Sequence, residues 1–275
     1  MKVAVFTSID KKGASDISKA VIKKLLNLGA EVLISEKFGE LNCTVLDENK
    51  LFKTADVVIS VGGDGTLIGC AKKAAENGVA VLGINAGRLG FLTDIESENL
   101  HLLEKLVANE YKTENRMMIR VEVIEDDKVI YTSTALNDVI ISGADTARIA
   151  DIEATVGSDI ISYRADGIVV STPTGSTAYS MSAGGPIIDP SIRCFNLTPI
   201  CSHSLTARPI LINAEDNIKI KTSKTSRTET YLAVDGIRYG LISNNQEVVI
   251  KVCEFDAKLI NISGKTIFKT LSMKF

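Results

Sequence analysis

Between Asp56 and Val61 the chain is almost continuously apolar, and it runs without a break into Gly62-Gly63-Asp64-Gly65-Thr66 and then into a helical pattern. Few folds accept that order. A strand apolar along its whole length is covered on both faces, which is the situation of a parallel sheet. The same alternation surrounds it. Val3–Phe6 predicts a strand, and Ser15–Leu28 carries apolar residues at Ile17, Ala20, Val21, Leu25 and Leu28, a helical spacing closed by Gly29. Val32–Ile34 and Ala80–Ile84 predict two further strands. Thr66–Asn77 predicts a helix with Leu67, Cys70, Ala71, Ala74 and Ala75 inward, stopped by Gly78. Strand and helix in turn mean a parallel α/β sheet.

After about Lys112 the pattern changes. Met117–Ile124, Lys128–Leu136, Val139–Ser142, Arg148–Val156, Ile160–Arg164 and Gly167–Ser171 are short and rich in β-branched residues, with Asp126-Asp127 as a hairpin turn. One helix-like stretch, Ser176–Ala183, interrupts. Strand patterns resume at Ile210–Ile212, Asn217–Lys221, Glu229–Val234 and Glu247–Glu254. The length of 275 residues allows one large domain or two modest ones, and the change of pattern places a boundary near Tyr111–Arg116.

Composition excludes several classes. The net charge of −3 removes a chain-wide basic field for nucleic acid. No stretch approaches the ~20 apolar residues of a membrane span, and the start lacks the pattern of a signal peptide. Five cysteines (Cys43, Cys70, Cys194, Cys201, Cys253) form no Cys-x-x-Cys pair and fit reduced thiols of the cytoplasm. His101 and His203 are too far apart in sequence to suggest a zinc site.

The strand, glycine-rich loop and helix at Gly62–Thr66 make a phosphate-binding unit. Ligands bind at the carboxyl ends of parallel strands, glycines allow close backbone approach, and a helix N-terminus favours an anion. Neither the Walker ending nor Gly-x-Gly-x-x-Gly is present. Asp64 is the unusual member, because a carboxylate repels phosphate. Three uses are open to it: accepting a proton from an attacking hydroxyl, holding Mg²⁺ against phosphates, or capping the helix.

Gly62-Gly63-Asp64-Gly65-Thr66 resembles the loop shared by NAD kinases, diacylglycerol kinases and sphingosine kinases. Further segments resemble NAD kinases specifically: Gly83–Leu92, the Asn137-Asp138 pair, Asp166–Ser180 continuing through Ser182–Pro186, Pro199–Cys201 with Ser204-Leu205 and Arg208-Pro209, and Val234-Asp235-Gly236. The resemblance implies an N-terminal Rossmann-like α/β domain over 1–112, a C-terminal β-sandwich domain over 113–263, a tail of about 264–275 packing back on the first domain, and an active site in the cleft between the two. It implies phosphorylation of the 2′-hydroxyl of NAD's adenosine ribose, with ATP or polyphosphate as donor and a divalent metal, Mg²⁺ or Mn²⁺, for which no protein ligands are assigned. A homodimer or homotetramer is expected, with no nucleic-acid or membrane partner.

By the same resemblance Asp64 is the catalytic residue, with Gly62, Gly63, Gly65 and Thr66 around the substrates. Asn137 suits an adenine edge, since an amide both donates and accepts, and Asp138 stands where the family often has Glu, one methylene longer. In isolation this pair reads as a turn between strands. Thr174, Thr177, Ala178, Tyr179 and Ser182 line the dinucleotide site, while Thr174, Ser176 and Thr177 also suit helix capping. Asp166 is a ligand contact. Arg148 and Arg164 are candidates for phosphate or for orienting Asp166, with a solvated surface role as the alternative for Arg148. Asp235 completes the set, and Ile237 stands where the family frequently has Gln. Two other readings stay open: a lipid kinase of the diacylglycerol type, and a dinucleotide-binding sensor without catalysis.

Overall fold

The computed structural model describes residues 1–7, 13–35, 41–87, 89–145, 148–223, 226 and 228–275. The chain divides into two compact units, Met1–Asn115 together with Ala257–Phe275, and Arg116–Asp256.

The first unit is built on one sheet. Its neighbours run in the order Thr44–Val45, Glu31–Ile34, Lys2–Thr7, Val57–Gly62, Ala80–Asn85, Ala257–Asn261 and Lys112–Arg116. The pairs Lys2–Thr7 with Glu31–Ile34, Lys2–Thr7 with Val57–Gly62, and Val57–Gly62 with Ala80–Asn85 are parallel. Every residue of Val57–Gly62 is buried, as the unbroken apolar run requires. The predicted inward set on the following helix is the observed one: Leu67, Cys70, Ala71, Ala74 and Ala75.

That helix begins at Asp64 rather than at the predicted Thr66, with Gly63 as N-cap. The first helix spans Ala14–Asn27, and its buried stripe is Ala14, Ser18, Val21, Ile22 and Leu25. Ala20, expected inward, is exposed. Ser18 takes a core place because its hydroxyl meets that of Thr7 at 2.7 Å, and a paired hydroxyl is tolerated inside. Gly29 and Gly78 follow their helices at φ of 79° and 70°, a conformation that suits residues without a Cβ.

The end of the chain belongs to this sheet as well. Lys258 and Leu259 pair in parallel with Ala80 and Val81. A last helix, Ile267–Lys274, is capped by the Thr266 side chain, which accepts from the Lys269 N–H.

The second unit is a sandwich of two antiparallel sheets. One orders Ile210–Asn213, Cys194–Ile200, Gly167–Ser171, Asp138–Gly143, Thr230–Val234 and Ile237–Ile242. The other orders Asp159–Ala165, Ala150–Val156, Ile218–Thr222, Gln246–Val252, Ile119–Glu125 and Lys128–Ala135. Inward residues of both sheets share one core that contains Val121, Ile152, Ile250, Ile141, Val170 and Phe195. Asp126 and Asp127 both adopt positive φ, 48° and 60°, the backbone of a tight hairpin. Asp235 and Gly236 do the same at 47° and 76°, between Thr230–Val234 and Ile237–Ile242.

Phe195 is fully buried in the sandwich core. Phe195→Ala leaves a void and is expected to lower the unfolding free energy by roughly 3–5 kcal/mol. Urea denaturation followed by tyrosine fluorescence measures this, and a loss below about 1 kcal/mol contradicts the packing described.

Candidate active site

In the first unit the strand Val57–Gly62 delivers Gly62 and Gly63 directly to the helix start. The turn is tight: a Cβ on Gly62 would lie 2.4 Å from Thr66 Oγ1. The Gly62 carbonyl accepts from the Ala86 N–H at 2.9 Å, which ties this loop to the second glycine-rich segment. Gly65 is exposed, and Asp64 and Thr66 are half-buried. Asp64 therefore occupies the first helical turn, where the dipole favours a carboxylate. Its side chain does not cap its own helix. Oδ2 accepts from the Phe91 N–H at 2.8 Å and Oδ1 from the Leu92 N–H at 3.1 Å.

In the second unit Asp235 organises the other half of the predicted set. Its carboxylate accepts from the backbone N–H groups of Leu136, Asn137 and Asp138 at 2.9, 2.8 and 3.1 Å. Its own N–H donates to the Asp138 carbonyl at 3.0 Å. Thr172 closes the knot: its hydroxyl donates to the Leu136 carbonyl at 2.6 Å and accepts from the Gly175 N–H at 3.0 Å. Gly175 packs so close that a Cβ there would lie 2.1 Å from the Asn137 carbonyl oxygen. Asn137 and Asp138 are thus brought against the Thr174–Ser182 segment. The Asn137 Oδ1 is buried and has no hydrogen-bond partner.

The segment itself differs from the single helix predicted over Ser176–Ala183. A 3-10 turn, Thr174–Thr177, and a short helix, Tyr179–Ser182, are separated by Ala178 at φ −99°, ψ −129°. The expected capping by Thr174, Ser176 or Thr177 is not made. Ser176 Oγ instead donates to the Pro173 carbonyl at 2.6 Å and accepts from the Ile188 N–H at 3.0 Å. The Thr177 hydroxyl donates to the Thr174 carbonyl at 3.3 Å. Thr174 is buried, Thr177 and Ala178 are half-buried, and Tyr179 and Ser182 are exposed.

Arg148, Arg164 and Asp166 form a separate group. Asp166 is exposed, its N–H donating to the Ile200 carbonyl and its carbonyl accepting from Gly143. Among the described residues each arginine has another carboxylate beside it. Arg164 Nε lies 3.1 Å from Asp151, its partner across the sheet, and Arg148 Nε lies 3.3 Å from Asp145. Local carboxylates compete for both guanidinium groups, and these pairs are exposed enough to exchange readily. Ile237 is 71% exposed at the start of an edge strand.

Comparison with known proteins decides between the readings. Residues 3–111 match the ATP-NAD kinase N-terminal domain and residues 136–262 the ATP-NAD kinase C-terminal domain. The NAD kinase of Symbiobacterium thermophilum is 37% identical over 99% of this chain and 98% of its own length. That of Caldanaerobacter subterraneus subsp. tengcongensis is 34% identical, with the same two coverages. The chain belongs to the ATP-NAD kinase family. An NAD kinase from Archaeoglobus fulgidus, solved in complex with ATP, superposes with a TM-score of 0.77 at 27% identity, covering 100% of this chain and 98% of that one. The yeast NADH kinase complexed with NADH shares the fold, with a TM-score of 0.87 at 22% identity over 99% of this chain and 85% of that one. Full-length likeness to NAD kinases replaces the lipid-kinase reading.

Among the ATP-NAD kinase signatures, Val234-Asp235-Gly236 holds a function that sequence reasoning missed. Asp-Gly between two strand patterns signals a hairpin. That its carboxylate would reach three N–H groups 97 to 99 positions away has no local signal. Thr172 was read only as part of a signature. Among the described residues no cluster of three or more His, Cys, Asp and Glu is placed to hold a metal. Each Asp64 oxygen has accepted one N–H and keeps lone-pair capacity, so Asp64 fits a cation that arrives on a phosphate chain.

Asp138 is 4% exposed. Burial, then the like charge of Asp235, pushes its carboxyl up to about 7, while the Tyr179 N–H pulls the other way. A carboxyl raised in the folded state favours folding while it is protonated, so its contribution weakens as pH climbs from about 4 through 7. Asp138→Asn removes this dependence. Relative to the parent, the variant should gain on the order of 2 kcal/mol between pH 5 and pH 8. Denaturant unfolding of both proteins at the two pH values tests it, and parallel stability profiles contradict it.

Proposed function

We propose that the NAD kinase activity of the family runs in this chain as a direct in-line transfer from ATP or polyphosphate to the 2′-hydroxyl of the adenosine ribose, with Asp64 as the catalytic residue. The observation that supports this is the placement of Asp64. It stands in the first turn of the helix that follows the glycine-rich loop, with both carboxylate oxygens oriented by backbone N–H groups. A carboxylate is a weak general base. A loose phosphoryl-transfer transition state asks it only to orient the hydroxyl and take the proton late.

Gly62, Gly63, Gly65 and Thr66 face the phosphates. The backbone approaches closely there, and the first N–H groups of the helix offer donors that are already oriented. Asp64 would hold Mg²⁺ or Mn²⁺ together with the donor's phosphate oxygens; when bound, such an ion supplies neutralisation of the charge that develops during transfer.

The second unit reads the acceptor. Asn137 offers its unpaired Oδ1 and amide to the adenine edge. Asp138 accepts from ribose hydroxyls, and Thr174, Thr177, Ala178, Tyr179 and Ser182 line the dinucleotide path. Arg148 and Arg164 act on the ligand's polar groups after exchanging their present carboxylate partners, and Asp166 contacts the ligand itself. Asp235 acts indirectly, by fixing the backbone of Asn137 and Asp138. We assign the chain to the cytoplasm, which suits five free thiols including the exposed Cys201. A homodimer or homotetramer suits the exposed Ile237, Tyr239 and Leu241 on an edge strand.

Asp64→Asn keeps the shape and removes the proton acceptor. NAD binding by calorimetry is expected to persist, while NADP formation falls by roughly 10²–10⁴. Near-normal turnover by this variant sinks the assignment, and NAD binding without NADP formation by the parent under varied donors and metals favours the sensor reading.

A further inference from the structure

The oxygens of Asp64 are held by a segment that is itself pinned from the far end of the chain. Phe91 and Leu92 donate one backbone N–H to each oxygen, at 2.8 and 3.1 Å. Gly90 permits this approach, since a Cβ there would lie 2.1 Å from Asp64 Oδ1 and 2.8 Å from its Cγ. Around this clamp the C-terminal residues make a ring of contacts. Lys274 Nζ donates to the Leu89 carbonyl at 2.6 Å and sits 4.4 Å above the centre of the Phe91 ring. Lys265 Nζ donates to the Thr93 carbonyl at 3.2 Å. The Asp94 carboxylate accepts from the N–H groups of Ile262 and Ser263 and from the Ser263 hydroxyl. Every second residue or so from Leu89 to Asp94 is thus fixed by the tail, and the two N–H groups left facing Asp64 are the ones it uses.

From this geometry we propose that the C-terminal helix is a positioning element for catalysis. Lys274 fixes the Leu89–Phe91 backbone, and Gly90 lets that backbone seat the Asp64 carboxylate. The inference rests on Asp64 being the catalytic residue. The two lone-pair directions left on Asp64 follow from the two N–H bonds it accepts. If the segment shifts, those directions shift with it, and a displacement near 1 Å costs on the order of 10²-fold in rate. Substrate affinity is untouched, because Lys274 belongs to none of the surfaces assigned to NAD.

The test is steady-state kinetics of the full chain with NAD and ATP, alongside thermal melting. Lys274→Met is expected to lower kcat roughly tenfold, with KM for NAD and the melting temperature held. Lys274→Arg keeps a cationic donor that can stack on Phe91, and it should restore kcat to within about twofold. Gly90→Ala should lower kcat by about 10²-fold while NAD still binds by calorimetry. Two outcomes overturn the proposal while Asp64→Asn is inactive: Lys274→Met with parental kcat, or Lys274→Met and Lys274→Arg losing kcat equally and in step with melting temperature. If Asp64→Asn turns over normally, the assignment of Asp64 falls and takes the positioning role with it.

Discussion

Carboxylates that accept consecutive backbone N–H groups organise both units. Asp64 takes those of Phe91 and Leu92, Asp94 takes those of Ile262 and Ser263, and Asp235 takes those of Leu136, Asn137 and Asp138. Hydrogen bonds to a charged acceptor contribute about 1.5–3 kcal/mol each, more than a typical neutral pair. They also fix direction, since successive N–H groups converge on one anion only when the backbone between them turns in a set way. In each case a short polar side chain helps set the path of a segment that lies wholly or mostly outside the strands. Glycine then decides how near two segments come, as at Gly90 beside Asp64 and Gly175 beside Asn137.

This explains which parts were legible in the sequence. The strand Val57–Gly62 and the helix after it announce themselves through local apolar period, and the predicted inward residues of that helix are the buried ones. The start of the helix lay two residues earlier than Thr66 because glycine is an acceptable N-cap and an aspartate is favoured in the first turn. Cys194–Ile200 escaped notice although all of it is buried. Asn196, Thr198 and Pro199 break the apolar pattern, yet the sheet accommodates each. Asn196 Nδ2 donates to Ser180 Oγ at 2.8 Å and its Oδ1 accepts from Thr198 at 3.2 Å. Pro199 stands beyond Cys194–Leu197, the part covered by the next strand, where a missing N–H breaks no ladder on that side.

Non-local contacts were the illegible part. Ala257–Asn261 is five residues long and finds its parallel partner at Ala80 and Val81, far away in sequence. Arg148 and Arg164 are expected at phosphate or beside Asp166; the structure places Asp145, three positions away, beside Arg148, and Asp151, opposite in register, beside Arg164. A charged side chain takes the nearest opposite charge, and sequence alone does not reveal the cross-strand neighbour.

The two neighbouring carboxylates of the second unit resolve the same electrostatic problem in opposite ways. Asp235 surrounds its charge with three N–H donors. Asp138 is buried beside that charge with one N–H, from Tyr179, to offset it, and its carboxyl is pushed up to about 7. Asn137 next to it keeps a buried oxygen without a partner. Unsatisfied polar groups are costly inside a protein and cluster where a ligand completes them. Here the incomplete pair is adjacent in sequence and held by the same clamp, so its deficit has a defined shape: a donor for Asn137 Oδ1 and hydroxyls for Asp138. An adenosine, with its exocyclic amine and ribose hydroxyls, carries both. Asp235 is therefore the rigid member that keeps the other two poised, and under the proposed function the stability given up at Asp138 is offset when adenosine binds.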